Sequence, residues 1–182
     1  MKNFLIAVVV LVCIYACGNS TKQTPESRTY ETGYSSSLME IDQEEDNPYL
    51  DNSLQTGDMP YGNGSLSGSE STISVKTSSV SECDVVVIVK HNGRMVRNAY
   101  IAAGGAHTFN VPNGTYQVFF YGGKGWNPNK SMPNGCTGGF VANESFSKDS
   151  EVSLDFQGIE YELIPQRNGN FSTQQSNESE VF

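Results

Sequence analysis

The sequence predicts an all-β protein, a single small antiparallel β-sandwich behind an N-terminal leader and an acidic linker. Three observations lead there. Short runs of β-branched and aromatic residues recur from residue 72 onward, punctuated by Gly, Asn and Pro. No segment longer than about twelve residues carries the i, i+3, i+4 spacing of an amphipathic helix. The dipeptide Asn-Gly stands twice between such runs, at 92–93 and 113–114, where a two-residue hairpin loop needs positive φ.

The elements follow in order. Thr72-Ile73-Ser74-Val75-Lys76 alternates as a half-buried strand does. Asp84 to His91 is β-branched and apolar on both faces, the mark of a central strand. Asn92-Gly93 turns the chain, and Met95 to Ala102 returns, although no register gives it one apolar face. A second hairpin is expected from Gly105–Pro112 and Thr115–Tyr121 around Asn113-Gly114. That pairing sets Val111 opposite Tyr116, Phe109 opposite Val118 and His107 opposite Phe120, all on one side. Thr108 with Phe119, and Ala106 with Tyr121, fall on the other. Glu151 to Phe156 places Val152, Leu154 and Phe156 on one face, and Gln157-Gly158 leads into Ile159 to Ile164. The domain is expected over 72–166, with 167–182 as a flexible tail. Val111-Pro112-Asn113-Gly114-Thr115-Tyr116-Gln117-Val118 resembles the Pro-x-Gly-x-Tyr-x-Val turn of PEGA-type and carboxypeptidase-regulatory-like modules. The resemblance covers about eight residues and implies a β-sandwich of a kind that is mostly non-catalytic and surface-exposed.

Charge separates the chain into parts. Of 182 residues with a net charge of −9, the stretch 18–71 holds ten Asp/Glu against Lys22 and Arg28. The stretch 72–166 is almost neutral, with seven Lys/Arg and eight Asp/Glu. No cationic stripe exists for phosphates, which excludes a basic nucleic-acid reader. Residues 17–71, rich in Ser, Gly, Asn and acids, are expected to be a disordered linker, spanning roughly 40 Å as a random coil. One pattern stands against a plain stalk. Pro48-Tyr49-Leu50-Asp51-Asn52-Ser53-Leu54 recurs as Pro60-Tyr61-Gly62-Asn63-Gly64-Ser65-Leu66, matching at Pro, Tyr, Ser and Leu. Either this is coincidence in a low-complexity stretch, or Tyr49, Leu54, Tyr61 and Leu66 dock on the domain or on a partner.

Met1-Lys2-Asn3 forms a short positive start, and Phe4 to Ile14 is an apolar run of signal-peptide length, too short to cross a bilayer as a helix. Ile14-Tyr15-Ala16-Cys17 follows and resembles the lipobox of bacterial lipoproteins, departing from it only in Tyr15. The resemblance implies removal of residues 1–16 and acylation of Cys17, so that the membrane is a partner through a lipid anchor. Gly18 in the next position directs the expectation to the outer rather than the inner membrane of a bacterial envelope.

Candidate chemistry is sparse. No G-x-S-x-G, H-E-x-x-H or phosphate-cradling loop occurs, and no catalytic residue, metal site or cofactor is assigned. Cys136, in Asn134-Gly135-Cys136-Thr137-Gly138-Gly139, would need His107 or His91 beside it to act as a nucleophile. Cys83, Cys136, His91 and His107 are zinc-ligand types without a close pair. Once Cys13 leaves and Cys17 is acylated, Cys83 and Cys136 are an even pair and the disulfide candidate. Glu160 and Glu162 share one strand face, as exposed alternating charges do. Phe119 and Tyr121 point away from the expected core, next to the glycine-rich stretch 122–139 with the single Trp126 and Asn127. Either these four residues form an exposed aromatic platform for a sugar ring, or the stretch folds back and Trp126 closes a second small core. The expected function is a membrane-anchored lipoprotein presenting a non-catalytic interaction module to an envelope partner. A carbohydrate- or peptidoglycan-binding module is the alternative, and a Cys136-dependent enzyme a more distant one.

Overall fold

The computed structural model describes residues 6–11, by their backbone, together with 47–164 and 174–182. Among the described residues, ten strands run in chain order: β1 (Ile6–Leu11), β2 (Ser71–Thr77), β3 (Asp84–His91), β4 (Arg94–Ile101), β5 (Ala106–Val111), β6 (Gly114–Ser131), β7 (Thr137–Lys148), β8 (Val152–Leu154), β9 (Gly158–Leu163) and β10 (Gln174–Gln175). A short helix, α1 (Glu178–Val181), follows. The strands form two sheets. Sheet A has the order β1-β9-β2-β5, and sheet B has the order β10-β7-β6-β3-β4 with β8 on β6. The all-β sandwich expected from the sequence is therefore present, with one qualification: β9 runs parallel to both β2 and β1.

The core between the sheets is built from alternate residues. Ile73 and Val75 of β2, Phe109 and Val111 of β5, and Ile159, Tyr161 and Leu163 of β9 meet Val85, Val87 and Val89 of β3 and Tyr116, Val118 and Phe120 of β6. The β3–β4 hairpin forms as expected, with Asn92 at φ 52° and Gly93 at φ 72°. Its second strand lacks a clean apolar face because it carries a bulge. Val89 pairs with Arg97 and Lys90 with Met95, so Val96 is the extra residue. The extra residue re-phases the alternation, and Val96, Ala99 and Ile101 all reach the core.

The second hairpin is corrected. β5 pairs with β2 in sheet A, while β6 pairs with β3, β7 and β8 in sheet B. Asn113-Gly114 is an arch from one sheet to the other, so Val111 and Tyr116 face one core from opposite layers. The arch is pinned by the Asn113 side chain, which accepts from Ser71 Oγ at 2.8 Å and from the Phe156 N–H at 2.8 Å and donates to Asp155 at 3.0 Å. Tyr116 Oη donates to the Pro112 carbonyl four residues back, at 2.8 Å. His107 is half-buried with its ring edge on Phe109, not opposite Phe120. Phe156 does not join Leu154; it sits at φ 52° and is 55% exposed.

Two segment boundaries also change. Residues 47–70, expected in the linker, lie against the sandwich, and residues 174–182, expected in the flexible tail, end in Val181 and Phe182, both buried. Cys17, residues 12–46 and residues 165–173 lie outside the described residues. Ile6–Leu11, within the apolar leader, is a strand beside β9 in the full-length chain.

Candidate functional site: a roofed aromatic face

The outward residues of sheet B are as apolar as the inward ones, and far more aromatic. Val86 and Ile88 of β3, Tyr100 of β4, Phe119, Tyr121 and Trp126 of β6 and Phe140 of β7 form a second buried cluster. The stretch 122–131 is not a loop but the far half of β6, paired with β7 across two register shifts. Its glycines allow close approach rather than disorder. A Cβ on Gly123 would lie 2.4 Å from Phe140 Cβ, so only glycine admits that ring. Gly125, at φ +69°, has the Tyr49 carbonyl oxygen 2.6 Å from where its Cβ would be.

Two segments roof this face. The strap, residues 47–66, is stitched to it by backbone bonds. Trp126 N–H donates to the Asn52 carbonyl at 2.9 Å, Gly57 N–H to the Tyr100 carbonyl at 2.8 Å and Tyr100 N–H to the Asp58 carbonyl at 2.7 Å. Buried Asn98 takes the next turn of the strap: it accepts from Tyr61 N–H at 3.2 Å and donates to the Gly62 carbonyl. Tyr61 inserts its ring and donates to the Gly138 carbonyl at 2.9 Å. Leu54 and Tyr61 pack on this outer cluster and Leu66 on the inner one, so three of the four repeated Leu and Tyr positions dock on the domain, whereas Tyr49 joins neither cluster.

The tail supplies the rest of the roof. β10 pairs with the end of β7, and Asn177 caps α1 by accepting from Glu180 N–H at 3.1 Å. Lys90 Nζ donates to the Glu180 carbonyl at 2.6 Å, and Lys148 pairs with the Glu180 carboxylate at 2.9 Å. Phe182 then sits edge-on to Tyr61 and Tyr121, with centroids 4.9 and 5.7 Å away.

The polar groups under the roof are satisfied and quiet. Tyr121 Oη accepts from Phe140 N–H at 2.7 Å and donates to Glu144, while Lys130 bridges Glu144 and the Phe140 carbonyl. Burial first, and the Glu144 carboxylate second, push the Tyr121 hydroxyl well above the usual phenol range. Burial does the same to Tyr61. These hydroxyls orient rings and do not exchange protons near neutral pH. Tyr121 stacks on Phe146 with centroids 4.8 Å apart and planes within 2°.

The sequence-predicted site residues are thus brought together, but not as an open platform. Phe119, Tyr121 and Trp126 are 3%, 0% and 3% exposed, and only Asn127 is partly open, so the sugar platform is corrected. The rings are spent on packing against β7, the strap and the tail. Cys83 and Cys136 do not pair: Cys136 is a free thiol. Burial raises the Cys136 thiol above its ordinary range, opposing a thiolate. It packs with the outer cluster, whereas His107 and His91 lie against Phe109 and Tyr116 of the inner one. No Cys–His pair is assembled, and no group of three or more His, Cys, Asp or Glu comes together among the described residues. Glu160 and Glu162 flank Lys76 at 2.9 and 3.7 Å on the exposed face of sheet A.

Sequence reading missed the tail. Its signal was the pair Val181-Phe182 closing an otherwise polar stretch.

No family model and no curated protein matches this chain. Among solved structures, the chain is similar to Klebsiella pneumoniae 5-hydroxyisourate hydrolase at 17% identity, over 62% of this chain and 99% of that one, with a TM-score of 0.32. That neighbour is an enzyme, so the expectation that this chain is not one is corrected and not carried forward. A likeness at this level assigns no activity here.

Proposed function

We propose that the protein is a lipid-anchored interaction module of a bacterial envelope. Cys17 carries the anchor, the acidic segment that follows sets the distance from the membrane, and the sandwich meets a protein partner. The observation that carries this reading is the order of segments in the chain: a charged start, an apolar run, Ile14-Tyr15-Ala16-Cys17, a polar acidic stretch, then one compact β-sandwich. Gly18 favours the outer membrane. The interaction role draws support from the outer face of sheet B, which already holds two separate segments of chain by strand-like backbone bonds and inserted rings.

The test is lipid labelling of the full chain in a bacterial host with a palmitate analogue. Wild-type protein takes up label, fractionates with membranes and has lost residues 1–16 by intact mass. The Cys17→Ser variant takes up none. Label retained in that variant, or a leader retained in wild type, overturns the reading.

A further inference from the structure

The two sheets differ in what covers their edges. In sheet B the strap lies along β4, bonding to Tyr100 through Gly57 and Asp58, and β10 lies on β7. Both covers belong to residues 47–182. In sheet A, β9 is registered over all six residues against β2 on one side and β1 on the other. β1 lies in the leader that the reading above removes. We propose that in the processed protein the β9 edge is a strand-acceptor site, taking an extended apolar segment of a partner protein parallel to β9 in the place of Ile6–Leu11. The proposal rests on the lipid-anchor reading.

The chemistry of the edge defines the partner. Thr72 N–H bonds the Gln157 carbonyl and Ser78 N–H the Leu163 carbonyl, at 3.0 Å each, so odd-numbered residues direct their backbone towards β2. Alternation then directs the N–H and C=O of Gly158, Glu160 and Glu162 to the other side. With β1 gone, those groups are a template for a new strand. The register sets Ala7, Val9 and Leu11 beside Ile159, Tyr161 and Leu163, whose side chains are in the core. A partner therefore needs small or branched apolar residues at alternate positions. The intervening positions, held here by Val8 and Val10, align with Glu160 and Glu162. These two carboxylates share the single Lys76, so a Lys or Arg in the partner at those places meets an uncompensated negative charge. The β5 edge of sheet A seats no strand of the chain among the described residues.

The experiment uses protein processed in a bacterial host and purified from membranes, with intact mass reporting the state of residues 1–16. Amide exchange is followed with and without a peptide of residues 5–12 carrying V8K and V10K, and with a control that also carries A7D and V9D. The amides of Gly158, Glu160 and Glu162 are expected to exchange fast alone and to slow about tenfold or more with the first peptide only. Slow exchange without peptide, or no response to the first peptide, overturns the acceptor site while leaving the anchor intact. A mass that still includes residues 1–16 removes the lipid-anchor reading itself, and with it the vacancy.

Discussion

The two faces of sheet B are buried in different ways. Its inner face, with Val85, Val87 and Val89 on β3 and Val118 and Phe120 on β6, is closed by another sheet. Its outer face, with Val86, Ile88, Phe119, Tyr121 and Trp126, is closed by a strap and a tail. A sheet is a cooperative cover, because each of its strands is held by its neighbours. A strap held by a few backbone bonds and one or two rings can lift locally without unfolding the sandwich. The inner face is therefore closed by a whole second sheet, and the outer face by two short segments laid over a mostly aromatic cluster.

The sharpest way to break this comparison is to remove one ring from each side. Phe120→Ala is expected to lower unfolding stability in urea by about 3–5 kcal/mol, because the inner cavity cannot collapse. Phe182→Ala is expected to cost about 1–3 kcal/mol, because the tail undocks instead of leaving a hole. Equal losses would mean that the roof is as integral as the second sheet. Next in size is Tyr121→Phe, which keeps the stack on Phe146 but strands the Phe140 N–H and takes one donor from the Glu144 carboxylate, leaving it Lys130. A loss of about 1–2 kcal/mol is expected in the same assay, and no loss would show that the network orients nothing.

The smallest effect concerns the Glu180 clip. Hydrogen bonds from Lys148 and Ser176 hold its carboxyl below the usual carboxylate range. A lowered native value stabilises the docked tail above the ordinary carboxylate pKa, and that contribution fades as pH falls through the native one. Protease sensitivity of the tail should therefore rise below about pH 4 in wild type. In Glu180→Gln it should be slightly higher than wild type above that pH, equal to it below, and flat across that range. A pH response surviving in the variant assigns it to another carboxylate.

How much of this was legible depended on range. The Asn92-Gly93 hairpin was readable because its turn chemistry is local, and even the muddled face of Met95–Ala102 has a local cause in the Val96 bulge. Asn113-Gly114 gave a turn but not its partner. An arch and a hairpin need the same backbone there, and what selects the arch is Asn113 reaching Ser71 and Phe156, distant in sequence. The parallel β2–β9 pairing is likewise non-local. Glycines at 122–125 suggested a loop, whereas they mark where Phe140 and the strap approach β6. The site residues Phe119, Tyr121 and Trp126 were singled out correctly as one outward group. Their exposure was not readable, because polar composition in 47–66 and 174–182 hides the few apolar residues that cover them.

The central claim is that the outer face is sealed by a roof that can be lifted. The single tryptophan reports on it directly. Emission of Trp126 and its quenching by acrylamide are measured in the full chain and in a chain lacking residues 174–182. The account predicts blue-shifted, poorly quenched emission in the first, and a red shift with freer quenching in the second while the urea unfolding of the sandwich persists. Red-shifted, readily quenched emission in the full chain, or no change on removing the tail, would contradict it.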